Sequence, residues 1–307
     1  MKLRISTEPQ QGSDYSALLR LAQCAENAGY DGFFRSDHYL HLGDVDPGPG
    51  PTDAWITLAG LARETSRIRL GTLVTSATFR LPGPLAVGVA NVDQMSGGRV
   101  ELGIGSGWYE DEHTAYGIPF PALGERFDRL EEQLSAITGL WTARGRFSFA
   151  GKHYSITDSP ALPKPAQSPH PPVIVGGKGK KRTPELAARF ASEYNLPMGT
   201  PEEAAEQYRR VADACEAIGR DPGELHYSAV VPACVGPDED AVRRRAEAIG
   251  FPPDVLRQIG VAGTPSEAVE TLGRWEESGA QRIYLQILDL TDFDQVEHIA
   301  SEVAPQL

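Results

Sequence analysis

The chain of 307 residues predicts an α/β fold, a (β/α)8 TIM barrel with insertions, read as one domain over 1–307 with a small hairpin near 146–157. Three observations lead there. Strand-like and helix-like stretches alternate from end to end, as a parallel sheet with crossover helices requires. Eight strand candidates occur, the number that closes such a barrel, whose usual length is about 250 residues. Hydrophobic residues make up 40% of the chain, enough for a sizeable core.

Each element has its own local reason. Leu3-Arg4-Ile5-Ser6 reads as the first strand. Ser13 or Asp14 offers an N-cap to a helix whose stripe is Leu18, Leu21, Ala22, Ala25 and Ala28, ended by Gly29. Gly32-Phe33-Phe34 is the second strand and stops at Ser36-Asp37-His38. A Gly- and Pro-rich loop, Gly43 to Pro51, leads to a helix from about Asp53. The third strand is Ile68 to Val74. The next helix begins after Pro82 and Pro84, since a helix start tolerates proline, and stops at Gly97-Gly98.

Val100 to Ile104 is the fourth strand. A long helix carries Phe127, Leu130, Leu134, Ile137 and Trp141, stepping by three and four. Phe147 to Tyr154 reads as the hairpin, set before a fifth strand at Pro172 to Val175. Glu193 to Leu196, His226 to Val235 and Arg282 to Leu288 complete the strands. Helices at 201–218, 238–249, 265–278 and 292–303 fill the rest.

The formal net charge of −13 disfavours nucleic acid and anionic membranes as partners. Cys24, Cys215 and Cys234 are too few and too far apart for a disulfide framework or a zinc site. Cys215 lies on a helix stripe and reads as core. With no apolar leader and no long apolar span, the expected compartment is the cytoplasm.

In this fold the chemistry sits at the C-terminal strand ends. Those positions hold Asp37 and His38, Thr75 and Ser76, Gly105-Ser106-Gly107, Gly176-Gly177-Lys178-Gly179, and Asn195. The strongest signal is Gly176 to Pro184. Its glycines let backbone N–H groups approach an anion, Lys178, Lys180, Lys181 and Arg182 add positive charge, and Thr183-Pro184 suits a helix start. A solvated basic turn is the plainer alternative. His38 suits a general acid or hydrogen-bond donor, and a loop-capping pair with Asp37 is the alternative. Gly103-Ile104-Gly105-Ser106-Gly107 lacks the rest of a dinucleotide fingerprint. Glu110, Asp111, Glu112 and His113 read as a solvated loop or helix start before they read as paired acids. His38 and His41 lack a third ligand, so no metal is expected. Loops 39–51 and 108–124 are expected to shape a substrate pocket.

Several pieces then fall in a specific order. They are Ser36-Asp37-His38, Arg67 to Thr72, Asp93 to Arg99, Leu102 to Trp108, Gly117 to Phe120, Arg126 to Leu130, Leu162 to Pro165 and Val175-Gly176-Gly177. Together they resemble the luciferase-like monooxygenase superfamily, and within it the branch that uses the deazaflavin coenzyme F420. The likeness covers most of the chain and is best over 30–200.

The resemblance implies a (β/α)8 barrel, often a homodimer, with a flavin-like ring at the strand ends. It implies that Asp37 and His38 lie beside the ring as the catalytic residues, His38 foremost. Thr75 and Ser76 would stand where relatives often hold a non-proline cis peptide. Gly105, Ser106 and Gly107 would line the pocket, with Gly176 to Gly179 on the phosphate. Relatives acting on sugar phosphates place a Glu directly after the fourth-strand Gly-x-Gly; here Trp108 stands there, with Glu110 two residues on. Tyr194 stands where many relatives have Trp before Asn195.

The activity expected is hydride transfer between F420 and a small organic substrate. The alternatives are a monooxygenase using reduced FMN, and a non-catalytic binding protein for a flavin or deazaflavin.

Overall fold

Eight parallel strands close on themselves in the computed structural model, which describes residues 1–43 and 46–307. In chain order the strands are β1 (Lys2–Thr7), β2 (Gly32–Arg35), β3 (Arg69–Thr72), β4 (Thr75–Ser76), β5 (Val100–Gly105), β6 (Phe147–Ala150), β7 (Ser155–Ser159), β8 (Val173–Gly176), β9 (Glu193–Pro197), β10 (His226–Val235), β11 (Val261–Gly263) and β12 (Arg282–Ile287). The barrel runs β1-β2-β3-β5-β8-β9-β10-β12, and β12 returns to β1 with Lys2 opposite Arg282. The fold is a TIM barrel. β6 and β7 form an antiparallel hairpin outside it, which continues to Ser159.

The helices are α1 (Tyr15–Ala28), α2 (Ala54–Glu64), α3 (Pro82–Ser96), α4 (Glu110–Ala115), α5 (Leu123–Thr142), α6 (Arg182–Phe190), α7 (Pro201–Ala217), α8 (Glu239–Ala248), α9 (Pro253–Ile259), α10 (Pro265–Glu277) and α11 (Phe293–His298). Their ends follow local chemistry. Asp14, not Ser13, caps α1 by accepting the Ala17 N–H at 2.9 Å, and Gly29 closes it at φ 89°. Asp53 caps α2 through the N–H groups of Trp55 and Ile56. Such caps contribute about 1 kcal/mol each.

Three expectations need correction. The third strand does not run unbroken from Ile68 to Val74: β3 and β4 flank a cis Leu73–Val74 peptide. Pro82 and Pro84 lie inside the first turn of α3, where an absent N–H leaves no bond unmade. α6 starts at Arg182, ahead of the Thr183-Pro184 start read from sequence, and no side chain caps it. α9 and β11 are additional elements, of seven and three residues, too short to show a period.

Inside the barrel, the end opposite the strand C-termini is filled by charge. Arg4 is fully buried between the rings of Phe34 and Tyr284. It donates to Glu101 Oε2 and Tyr284 Oη, each at 2.8 Å, and to Asp31 at 2.7 Å. Arg69 pairs with Glu101, and Arg282 with Glu193. Buried charges persist only when matched in this way, and loss of one partner costs about 3–5 kcal/mol. Cys215 is buried, as the stripe predicted. Among the described residues, no helix is long and apolar enough to cross a membrane.

Candidate active site

The C-terminal strand ends open on a cavity of about 1810 Å3. Its wall brings together Asp37, His38, Ser76, Gly105, Ser106, Gly107, Gly176, Gly177, Lys178, Gly179 and Asn195. Thr75 is not among the lining residues. It is fully buried behind them, where its Oγ1 donates to Asp37 and accepts from Trp55 Nε1 at 3.1 Å.

His38 follows β2 and reaches the cavity. Its Nδ1 lies 2.9 and 3.0 Å from the two carboxylate oxygens of Glu112 on α4. Glu112 is only 1% exposed and also accepts the Tyr39 N–H at 3.0 Å. Burial disfavours a charged imidazole, but the Glu112 hydrogen bond and the charges of Glu8, Glu112 and Asp37 outweigh it, and His38 titrates above its ordinary value. Trp108, 62% exposed, stacks on Tyr109 at 5.2 Å and meets the His38 ring edge-on at 5.7 Å.

Asp37 is held from below. Thr75 Oγ1 donates to it at 2.8 Å, and Arg80 donates to both its oxygens. Arg80 also reaches Asp53 at 2.6 Å and Tyr39 Oη at 3.0 Å. The same network therefore ties the end of β2 to the start of α2. Arg35 makes a second tie, bonding Ser36 O, Thr52 and Thr57; burial pulls its guanidinium down to about 10.

The cavity floor combines glycine backbone with the Val74 side chain. A Cβ at Gly105 or Gly176 would meet the Val74 side chain at 3.1 and 3.3 Å. Gly107 has φ 82°, and a Cβ there would stand 2.4 Å from Ser76 Oγ. Ser76 is fixed by a chain of 2.6 Å bonds through Thr78 Oγ1 and His113 Nε2, with His113 Nδ1 donating to Tyr109 O.

The turn after β8 is pinned at Gly177. Its N–H donates to Asn195 O at 3.2 Å and its carbonyl accepts from Tyr194 Oη at 2.7 Å. Asn195 itself donates to Ser228 Oγ at 2.9 Å. Beyond Gly177 the N–H groups of Lys178 to Lys181 have no protein acceptor among the described residues, and α6 begins there. The basic side chains divide. Arg182 turns away to Asp128 and Glu131, and Lys178 bonds Met198 O and Glu203. Lys180 and Lys181 are exposed and make no ion pair among the described residues.

Sequence reasoning missed Glu8, Glu112 and Arg126 on this wall, and His113 buried behind it. The run is the helix start expected, opening α4 at Glu110, but Glu112 and His113 are buried, unlike the exposed Glu110 and Asp111, so its solvated reading fails for half of it. The i, i+3, i+4 spacing of Tyr109, Glu112 and His113 marks one face of a short helix and was the available signal. Arg126 lies on the cavity wall with its Nε buried and unpartnered, its guanidinium 3.9 Å over the Phe120 ring. Glu8, after β1, accepts from Gln286 and Gln10. Of the loops expected to shape the pocket, 39–51 contributes Leu42, Gly43 and Pro49, with residues 44 and 45 outside the described residues. Loop 108–124 contributes Trp108, Glu112 and Leu123.

Comparison with known proteins gives a consistent picture. The model of the luciferase-like monooxygenase family matches residues 1–250. An F420-dependent glucose-6-phosphate dehydrogenase of Microbacterium testaceum is 33% identical over 229 residues, 73% of this chain and 65% of that enzyme, so less than two thirds of its length is spanned. The FMNH(2)-dependent dimethylsulfone monooxygenase of Pseudomonas putida is 38% identical over 119 residues, 37% of this chain and 32% of that one. In structure, an F420-dependent secondary alcohol dehydrogenase in complex with an F420-acetone adduct superposes with a TM-score of 0.86 at 19% identity, covering 99% of this chain and 98% of that one.

Proposed function

The chain belongs to the luciferase-like monooxygenase family, and from that premise we propose that it is an oxidoreductase that binds coenzyme F420 and transfers a hydride between the deazaflavin and a small organic substrate. The observation that carries this reading is a single cavity shared by His38 and the glycine turn at Gly176–Gly179. An F420- or flavin-dependent enzyme needs a ring and a phosphate held at opposite ends of one space.

The residues present fit such a group. Gly105 and Gly176 let the Val74 side chain pack close on the strand ends, giving the floor an apolar surface on which a flat ring could lie. The unbonded N–H run from Lys178 to Lys181 leads into α6, an arrangement suited to an anion. Arg126 lines the same wall with its guanidinium over the Phe120 ring. When bound, the deazaflavin supplies a ring that accepts or delivers a hydride.

The protein's own share of the work is position and polarity. Lys178 and Gly179 would hold the phosphate through their backbone N–H groups, with Gly177 shaping the turn and Arg126 beside it on the wall. Gly105, Ser106, Gly107, Ser76, Gly176 and Asn195 would bound the ring. His38 donates a hydrogen bond or a proton from Nε2 to an oxygen that gains charge. Asp37, clamped by Arg80 and Thr75, fixes the backbone from which His38 projects. Thr75 acts through Asp37 and not by contact. Trp108 meets His38 edge-on at the mouth of the cavity.

Titration of the purified protein with F420 and with FMN, followed by ring fluorescence, tests the assignment. Saturable F420 binding is expected; tight FMN binding with no F420 binding overturns it. The second reading is a reduced-FMN monooxygenase, favoured by the similarity to the Pseudomonas putida enzyme. Oxygen consumption coupled to an oxygenated product would select it.

We also propose a cytoplasmic homodimer formed through α2 and α3. Ile56 on α2, Leu81 just before α3, and Val87 and Met95 on α3 are exposed apolar side chains on neighbouring elements that pairing would bury.

A further inference from the structure

We propose that Glu112 is a positioning residue: its carboxylate clamps Nδ1 of His38 and thereby presents Nε2 to the cavity as a hydrogen-bond and proton donor. This rests on the reading of His38 as the proton donor of the site.

The geometry is specific. Both oxygens of Glu112 lie within 3.0 Å of Nδ1, and the third bond to the carboxylate comes from the Tyr39 N–H. A carboxylate accepts only, so Nδ1 must carry a proton in either charge state of the ring. Nε2 has no protein partner among the described residues, and His38 lines the cavity. The neutral ring therefore presents an Nε2 lone pair, and the charged ring presents Nε2–H.

The surroundings favour the charged ring. Glu8 faces it from the end of β1, Asp37 precedes it just beyond β2, and Glu112 reaches it from α4. The loop after β5 adds the rings of Trp108 and Tyr109, which carry no charge at neutral pH. No cation contacts His38 among the described residues; Arg80 lies on the far side of Asp37. Burial opposes protonation, but these three carboxylates prevail. Removal of the Glu112 charge should then leave fewer His38 rings charged at a given pH without moving the scaffold.

Imidazole NMR on the cofactor-free protein tests this directly, with the His38 signal assigned by its loss in His38→Gln. In the wild type, nitrogen shifts at high pH should report the Nδ1–H tautomer; an Nε2–H tautomer overturns the proposal without any Glu112 variant. In Glu112→Gln the His38 titration should move to lower pH, with Glu112→Asp restoring part of it. Turnover of the holoenzyme should lose its basic limb at a correspondingly lower pH, with a roughly tenfold or greater loss at the basic end and little at the acidic end. An unchanged His38 titration in Glu112→Gln, or an equal loss of turnover at every pH, refutes the assignment. The spectra contain no cofactor, so failure of the F420 titration leaves this test standing, and the reverse also holds.

Discussion

Tyr194 Oη donates to the carbonyl oxygen of Gly177 at 2.7 Å, from a ring wholly buried on β9. The Gly177 N–H binds Asn195 O in the same strand. β9 thus grips the glycine turn of β8 by both its donor and its acceptor, just before the run of unbonded N–H groups begins.

Tyr194→Phe removes one of these two grips with little change in volume. We expect a stability loss of about 1 kcal/mol and a cofactor affinity weakened by roughly five- to tenfold. Urea unfolding and fluorescence titration measure the two. Unchanged affinity would mean that the turn holds its shape without the phenol.

Gly107 is a second test of the mouth. Alanine there must adopt φ 82° and place its Cβ 2.4 Å from Ser76 Oγ, at the head of the Ser76–Thr78–His113 chain. Gly107→Ala should cost about 1–3 kcal/mol. Gly117→Ala is the control: it has φ 66° but open space around the added methyl, and should cost about 1 kcal/mol or less. Equal urea midpoints for the two variants would contradict the close approach.

Stability should depend on pH through His38. Its folded-state titration lies above the unfolded value near about 6.5, so the folded protein binds this proton more tightly. The stabilisation is complete below that unfolded value and is lost as pH rises through the higher folded one. The stability difference between wild type and Glu112→Gln should therefore be larger at acidic than at basic pH. A difference that stays constant across urea midpoints measured over that range would argue against a charged pair.

A homodimer through α2 and α3 makes a physical prediction. Ile56 is 75% exposed and Leu81 62%. Ile56→Glu or Leu81→Glu should leave the fold intact and shift sedimentation from dimer to monomer. A monomeric wild type would remove the proposal.

Much of the architecture was legible in sequence because barrels are built from repeated local signals. The stripe of α1, the Gly29 stop and the β10 span of His226–Val235 follow from period and turn chemistry alone. The glycine turn was legible for a similarly local reason: glycines that bare the backbone and lysines that add charge stand side by side in one short stretch of chain. Where local signals were short or mixed, the reading slipped. α9 and β11 carry too few residues to show a period, and the Arg182 start of α6 has no cap to announce it.

The sequence by itself determined which strand ends carry polar and glycine residues, and hence where the cavity would open. Only the tertiary structure decided how those residues are wired. It joined Glu112 to His38 across 74 positions, sent Thr75 behind Asp37, turned Arg182 away, and set Arg126 on the cavity wall. Such pairings depend on which loops the closed barrel brings within about 3 Å of each other, the reach of a hydrogen bond. That distance is set by closure of the whole chain and leaves no periodic trace along it.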